Sequence, residues 1–294
     1  MSSFKPIEID KLTSFEIPSV RETLTPNAIA LYALSIGMGR DPLDVRQLAF
    51  VDPLRGPAVM PSMVLVMAHP GFWLGDPRTG VDPKAVLHAA QGFEIVGPIP
   101  SSGVVESHTR ITNVDDKGEG KPALIQSETE LGDASGTIFA RLARTTFVRG
   151  GGGFGGSSGP AAQGQENATT PPEVTVDLTT RAEQALLYRL NGDLNPLHSD
   201  PEIASQAGFD GPILHGLCTM GVVTHAVLRV LADYRAERLR SIKLRFSKPV
   251  YPGETIRTEI WSDGRFRARL LERDTVVIDD GLVQIDPPGL RGRP

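Results

Sequence analysis

"LHGLCTMGVVTHAVLRVL", residues 214–231, is the stretch on which the fold turns. Leu214, Leu217, Gly221, Thr224, Leu228 and Leu231 recur three or four residues apart, which is the spacing of one face of an α-helix. The positions between them are mostly apolar too, so such a helix has to be covered on most sides. The segments that follow are of another kind. "RLRSIKLRFSKPV" (238–250), "TIRTEIWS" (255–262), "RFRARLLERD" (265–274) and "TVVIDDGLVQI" (275–285) read as strands joined by short turns. A long helix followed by antiparallel strands predicts an α+β unit in which a sheet wraps the helix.

The 294-residue chain is long for one compact domain and comfortable for two. Its hydrophobic content of 40% and charged content of 22% allow a core in each half. The net charge of −5 is shared between the halves, and no Lys/Arg stripe interleaves with aromatics, which argues against nucleic acid as a partner. No apolar run has membrane-spanning length, and the first residues carry scattered charges where a signal peptide would be apolar. The single Cys218 excludes an internal disulfide and fits a reducing compartment. The C-terminus also differs from the S-K-L peroxisomal address, so the expectation is a cytoplasmic protein.

Residues 149–173, "RGGGGFGGSSGPAAQGQENATTPPE", read as a Gly/Pro-rich connector between a domain at 1–148 and another at 174–294. They lack the lysine-serine/threonine ending of a phosphate-binding loop. The flanking halves look like diverged copies. "LYALSIGMGRDPL" (31–43) resembles "LYRLNGDLNPL" (187–197), and "GPAVMP" (56–61) lines up with "GPILHG" (211–216). Each pair precedes an apolar stretch, so each half is expected to hold one long helix before its strands.

The chemistry concentrates in "NGDLNPLHSDPEIA" (191–204). Asn195-Pro196 and Asp200-Pro201 can each cap a short helix, and Gly208 can end the second. Capping leaves Asp193 and His198 without a reason. Pro196 forces a turn between them, so a carboxylate at 193 can approach an imidazole at 198, directly or through one water. That pairing suits proton transfer near neutral pH. A calcium loop would need different residues at Leu197, His198 and Ala204, and zinc would have only His215 and Cys218 as further ligands, so no metal site is expected. Gly216 stands where the long helix begins, among unpaired N–H groups at the positive end of the dipole. A glycine there either relieves crowding or lets an oxygen that gains charge approach the backbone. In the first copy, Gly37 or Gly39 stands opposite Asp193, Asp44 opposite His198, and Pro61, which has no N–H, opposite Gly216. All three functions are missing together.

"YRLNGDLNPLHSDPEIA" (188–204) resembles the signature of the MaoC-like (R)-specific 2-enoyl-CoA hydratases, or hydratase 2. The matching residues are Tyr188, Gly192, Asp193, Asn195, Pro196, Leu197, His198 and Ala204. Asn191 departs from the small residue usual there and is expected to disturb little. The connector and "RFSKPVYPGETIRTEIW" (245–261) resemble the two-domain members. The resemblance implies a double hot-dog fold, each half a sheet around a central helix, and reversible hydration of trans-2-enoyl-CoA without a cofactor. It implies that Asp193 and His198 are the acid–base pair, that Asn195 positions them, and that Gly216, with His215 beside it, binds the thioester oxygen. A wider acyl tunnel in the degenerate half is also implied. An acyl-CoA substrate and a homodimer are the expected partners. The rival readings are a thioesterase, a dehydratase of carrier-protein-bound chains, and a non-enzymatic acyl-CoA-binding module.

Overall fold

Ten strands form one antiparallel sheet in the computed structural model, which describes residues 4–156 and 170–287. The first half supplies β1 (Val20–Leu24), β2 (Val86–Ile95), β3 (Gly103–Asp116), β4 (Ala123–Asp133) and β5 (Ile138–Val148). The second supplies β6 (Val174–Thr179), β7 (Leu239–Phe246), β8 (Thr255–Ile260), β9 (Arg265–Leu270) and β10 (Thr275–Ile285). The spatial order is β1-β3-β4-β5-β2-β7-β10-β9-β8-β6. Read inward from either edge, the order within each half is the same, as the internal repeat requires. The halves join where β2 pairs with β7, Phe93 opposite Ile242 and Gln91 opposite Leu244. This is the expected double hot-dog.

Six α-helices accompany the strands among the described residues: α1 (Ile9–Ser14), α2 (Pro26–Ser35), α3 (Val45–Val51), α4 (Gln184–Tyr188), α5 (Pro201–Gln206) and α6 (Gly216–Leu231). None is long and apolar enough to cross a membrane. α6 is the predicted central helix, and every residue from Cys218 to Leu228 is buried. Each buried Val or Leu there is worth about 1.5–3 kcal/mol relative to exposure. Gly221 sets the closeness of the packing. A Cβ at that position would lie 2.5 Å from Ile36 Cγ2, so a larger residue would push α6 away from the end of α2. The repeated Leu-Tyr motif also meets itself here, with the Tyr32 and Tyr188 rings 6.2 Å apart.

The long helix expected in the first half is absent. After Pro61 the chain makes only a five-residue 3-10 helix, Pro61–Leu65. Other contacts then capture the backbone. Ala68, at φ +45°, donates its N–H to Glu22 Oε2 at 2.6 Å and accepts the Ser107 hydroxyl at 2.6 Å. Pro70 and Gly71 follow at once, and the chain continues through short turns to β2.

The stretch read as a connector is partly built into the first half. The Asp116 carboxylate accepts the N–H groups of Gly153, Gly155 and Gly156. Gly151 accepts the Ile7 N–H at 2.9 Å. Residues 157–169 of that stretch lie outside the described residues.

Candidate active site

α4 runs into a 3-10 turn, Arg189–Asn191, and Gly192 at φ +113° reverses the chain. Two short-range hydrogen bonds then fold the loop. Asp193 Oδ1 accepts the Asn195 N–H at 3.1 Å, and Asn195 Oδ1 accepts the Leu197 N–H at 3.0 Å. The second bond caps the 3-10 turn Pro196–His198, with Pro196 at its first position. Asp200 caps α5 by accepting the Glu202 and Ile203 N–H groups, and Gly208 at φ +87° follows the helix. Both expected caps are therefore present. The capped turn carries His198 inward until only 8% of it is exposed, while Asp193 stays at the surface.

Donor atoms of Asp193, His198 and His215 all lie within 4.8 Å of one another. No direct hydrogen bond links the Asp193 carboxylate to His198 among the described residues, and a span of this size suits one bridging water. The tautomers follow from the partners, because a carbonyl can only accept. His198 Nδ1 donates to Ile213 O at 2.8 Å, so the lone pair sits on Nε2. His215 Nε2 donates to the backbone oxygen of Asp193 at 3.2 Å, and its buried Nδ1 has no partner among the described residues. The two imidazoles stack with centroids 3.8 Å apart, and Tyr188 packs on His215 at 5.0 Å.

Burial pushes the His198 pKa below the usual 6.5, against the opposing pull of the Ile213 carbonyl and the Asp193 charge. His215 is lowered to about 4, first by burial and then by its neighbour His198. Both rings are thus neutral near pH 7. A neutral imidazole with its lone pair on Nε2 can take a proton from a water held against the Asp193 carboxylate. Two imidazoles and a carboxylate also make a plausible zinc-type donor set, although the sequence pointed away from metal.

Gly216 is the first residue of α6, and no side chain caps that helix. Its N–H has no acceptor among the described residues and points from the positive end of a sixteen-residue helix. Crowding does not explain the glycine. A Cβ would meet Phe246 at 3.5 Å, an ordinary contact.

Several residues at the site carried no sequence signal. Ser35, at the end of α2, accepts Asn191 Nδ2 on its hydroxyl at 2.9 Å and Gln184 Nε2 on its carbonyl at 2.6 Å. Asn191, which looked like a harmless departure from the motif, thus ties the loop to the first half. Arg189 Nη2 donates to Leu194 O at 3.0 Å and braces the same loop. The Ser35 contacts cross sequence separations that no local pattern encodes. The corresponding positions of the first half do ordinary structural work. Asp44 caps α3 and pairs with Arg46, as Asp200 caps α5. Pro61 opens the shortened helix without an N–H.

Fold and site together define a double hot-dog protein with, among the described residues, one clustered Asp193, His198 and His215 set, in its second half. Residues 23–150 match the hydratase 2 N-terminal domain of multifunctional enzyme type 2, and residues 163–281 match the MaoC-like domain. An enoyl-CoA hydratase of Mycobacterium tuberculosis is 40% identical over 268 residues, covering 88% of this chain and 91% of that protein. A peroxisomal enoyl-CoA hydratase 2 of Arabidopsis thaliana is 36% identical over 293 residues, covering 92% and 93%. The crystal structure of a MaoC-like dehydratase from Phytophthora capsici superimposes with a TM-score of 0.83 at 30% identity, over 96% of this chain and 100% of that one. The chain belongs to the MaoC-like dehydratase family, in its two-part hydratase 2 form, and is a lyase.

Proposed function

We propose that the protein catalyses the reversible addition of water to a trans-2-enoyl-CoA, giving the (3R)-3-hydroxyacyl-CoA. The observation that carries this reading is the gathering of the Asp193, His198 and His215 side chains within 4.8 Å, with His215 directly preceding the uncapped start of α6 at Gly216. Water bound between the Asp193 carboxylate and His198 Nε2 gives its oxygen to C3, and a proton is delivered to C2. Asp193 and His198 share the two proton transfers as a coupled pair. The electron pair displaced from the double bond reaches the thioester oxygen, where the Gly216 N–H and the α6 dipole stabilise it. Asn195 acts as a positioning residue, because its side chain caps the turn that carries His198.

Crotonyl-CoA is the direct probe. Loss of enoyl-thioester absorbance with no free thiol supports hydration. Thiol release would indicate a thioesterase, and no change in either signal would leave a binding module. The reading requires no metal, so dialysis against a chelator should leave the rate within about twofold of the untreated enzyme. A large loss restored by zinc would instead make Asp193, His198 and His215 metal ligands. The proposed setting is a cytoplasmic homodimer. Light scattering tests the dimer, and a fluorescent fusion distinguishes the cytoplasm from the peroxisome of the Arabidopsis relative.

A further inference from the structure

The first half's shortened helix leaves a pocket. α6, with sixteen residues, covers about 24 Å of sheet, whereas the five-residue 3-10 helix at Pro61–Leu65 covers only about 10 Å. Beside the uncovered face lies a small pocket that opens to solvent. Leu217, the neighbour of Gly216, forms part of its wall together with Leu65, Met67 and Trp73. Leu217 follows Gly216 directly, so the pocket borders the first turn of α6.

Its sheet side is unexpectedly polar. Gln91, Arg144 and Ser127 stand opposite one another across β2, β5 and β4. Leu142, Thr129 and Thr109 form the next row across β5, β4 and β3. The corresponding strands of the second half bury Ile256, Phe266, Ala268 and Leu270 in the core that holds α6. Hydrocarbon alone would call for such a surface in the first half as well. Arg144 makes no ion pair or hydrogen bond among the described residues, and its Nε is shut away from solvent without a partner. Thr109 and Thr129 satisfy each other at 2.8 Å, and Gln91 Nε2 is spent on the Gly92 and Ala143 carbonyls. The guanidinium is therefore the unpaired group. The acid whose charge reaches it is Asp193, across the junction of the halves.

We propose that this pocket selects enoyl-CoA substrates whose acyl tail ends in a carboxylate, and that Arg144 binds that carboxylate. The proposal rests on the hydratase reading and names its substrate class. Arg presents a planar fork of donors to a carboxylate, and a desolvated pair of this kind is stronger than a neutral hydrogen bond. Leu65, Met67 and Trp73 would pack the methylene groups between the reacting double bond and the charged end.

The test compares trans-2-enoyl-CoA thioesters of six, eight and ten carbons that end in a methyl group or in a carboxylate. At one of these lengths the carboxylated substrate should have the higher kcat/KM, by about tenfold or more, mainly through KM. Arg144→Met should abolish that preference, and Arg144→Lys should restore part of it. Calorimetric binding of the saturated thioesters to the wild-type protein should show the same preference without turnover. A preference for the methyl series at every length would overturn the proposal. So would a preference unchanged in Arg144→Met, or equal losses on both series in that variant, which would place Arg144 in the chemistry. Absence of crotonyl-CoA hydration by the wild type is a separate result and removes the hydratase reading itself.

Discussion

Gly216 and Pro61 hold the same place in the two halves. Each opens its helix and follows an extended residue, His215 at φ −58°, ψ 136° and Met60 at φ −62°, ψ 126°. The backbone before Gly216 is thus already suited to a proline, and Gly216→Pro should fold. It removes the N–H and adds the bulk of the ring, and if the N–H is the oxyanion donor turnover should fall about 10²–10³-fold. Gly216→Ala keeps the N–H and meets Phe246 at an ordinary distance, so it should retain most of the rate. Equal damage from both substitutions would point to bulk instead. His198 gives a second test at this scale. Burial lowers its pKa, so kcat/KM measured before any unfolding should hold as pH falls through 6.5 and decline only below it. A decline centred above 6.5 would contradict a buried neutral base.

α6 was readable because its periodicity and its burial agree: an apolar stretch at helical spacing became a helix covered on nearly every side. The matching stretch in the first half misled because apolar residues alone do not hold a helix. Glu22 and Ser107, far away in sequence, bind the Ala68 backbone and divert it. The Asp193–His198 loop was readable for a similar reason, since its caps and turns are local. Its ties through Asn191 to Ser35, and the field that Asp193 exerts on Arg144, depend on how the halves dock and leave no trace in spacing. Two histidines on or beside α6 make a prediction for the element. Burial lowers both His215 and His225 to about 4, while the unfolded chain protonates near 6.5. Between those values the unfolded state binds more protons, so stability rises with pH and is lost as pH falls from 6.5 towards 4. Denaturant titrations across that range should show the midpoint dropping. Leucine at position 225, which still packs but cannot titrate, should flatten part of the slope, and an unchanged slope would remove His225 from the account.

The two halves divide the labour of the whole molecule. The second carries the Asp193, His198 and His215 cluster, while the first completes the sheet through β2, anchors the loop through Ser35 and lines most of the pocket beside Leu217. Residues 174–294 alone would expose the β7 edge and much of α6, so that fragment should be poorly soluble or should self-associate. A soluble, fully active monomer of the fragment would contradict this division. Asp193→Asn and His198→Gln should each lower hydration about 10²–10⁴-fold while the fold is kept, as general acid–base groups do. The central claim is that these two residues act as one unit, and a double-mutant cycle on crotonyl-CoA hydration tests it most directly. The account predicts that the double variant is scarcely slower than the slower single variant, because losing either group already disables the pair. Losses that multiply, or either single variant keeping more than about a tenth of the wild-type rate, would contradict it.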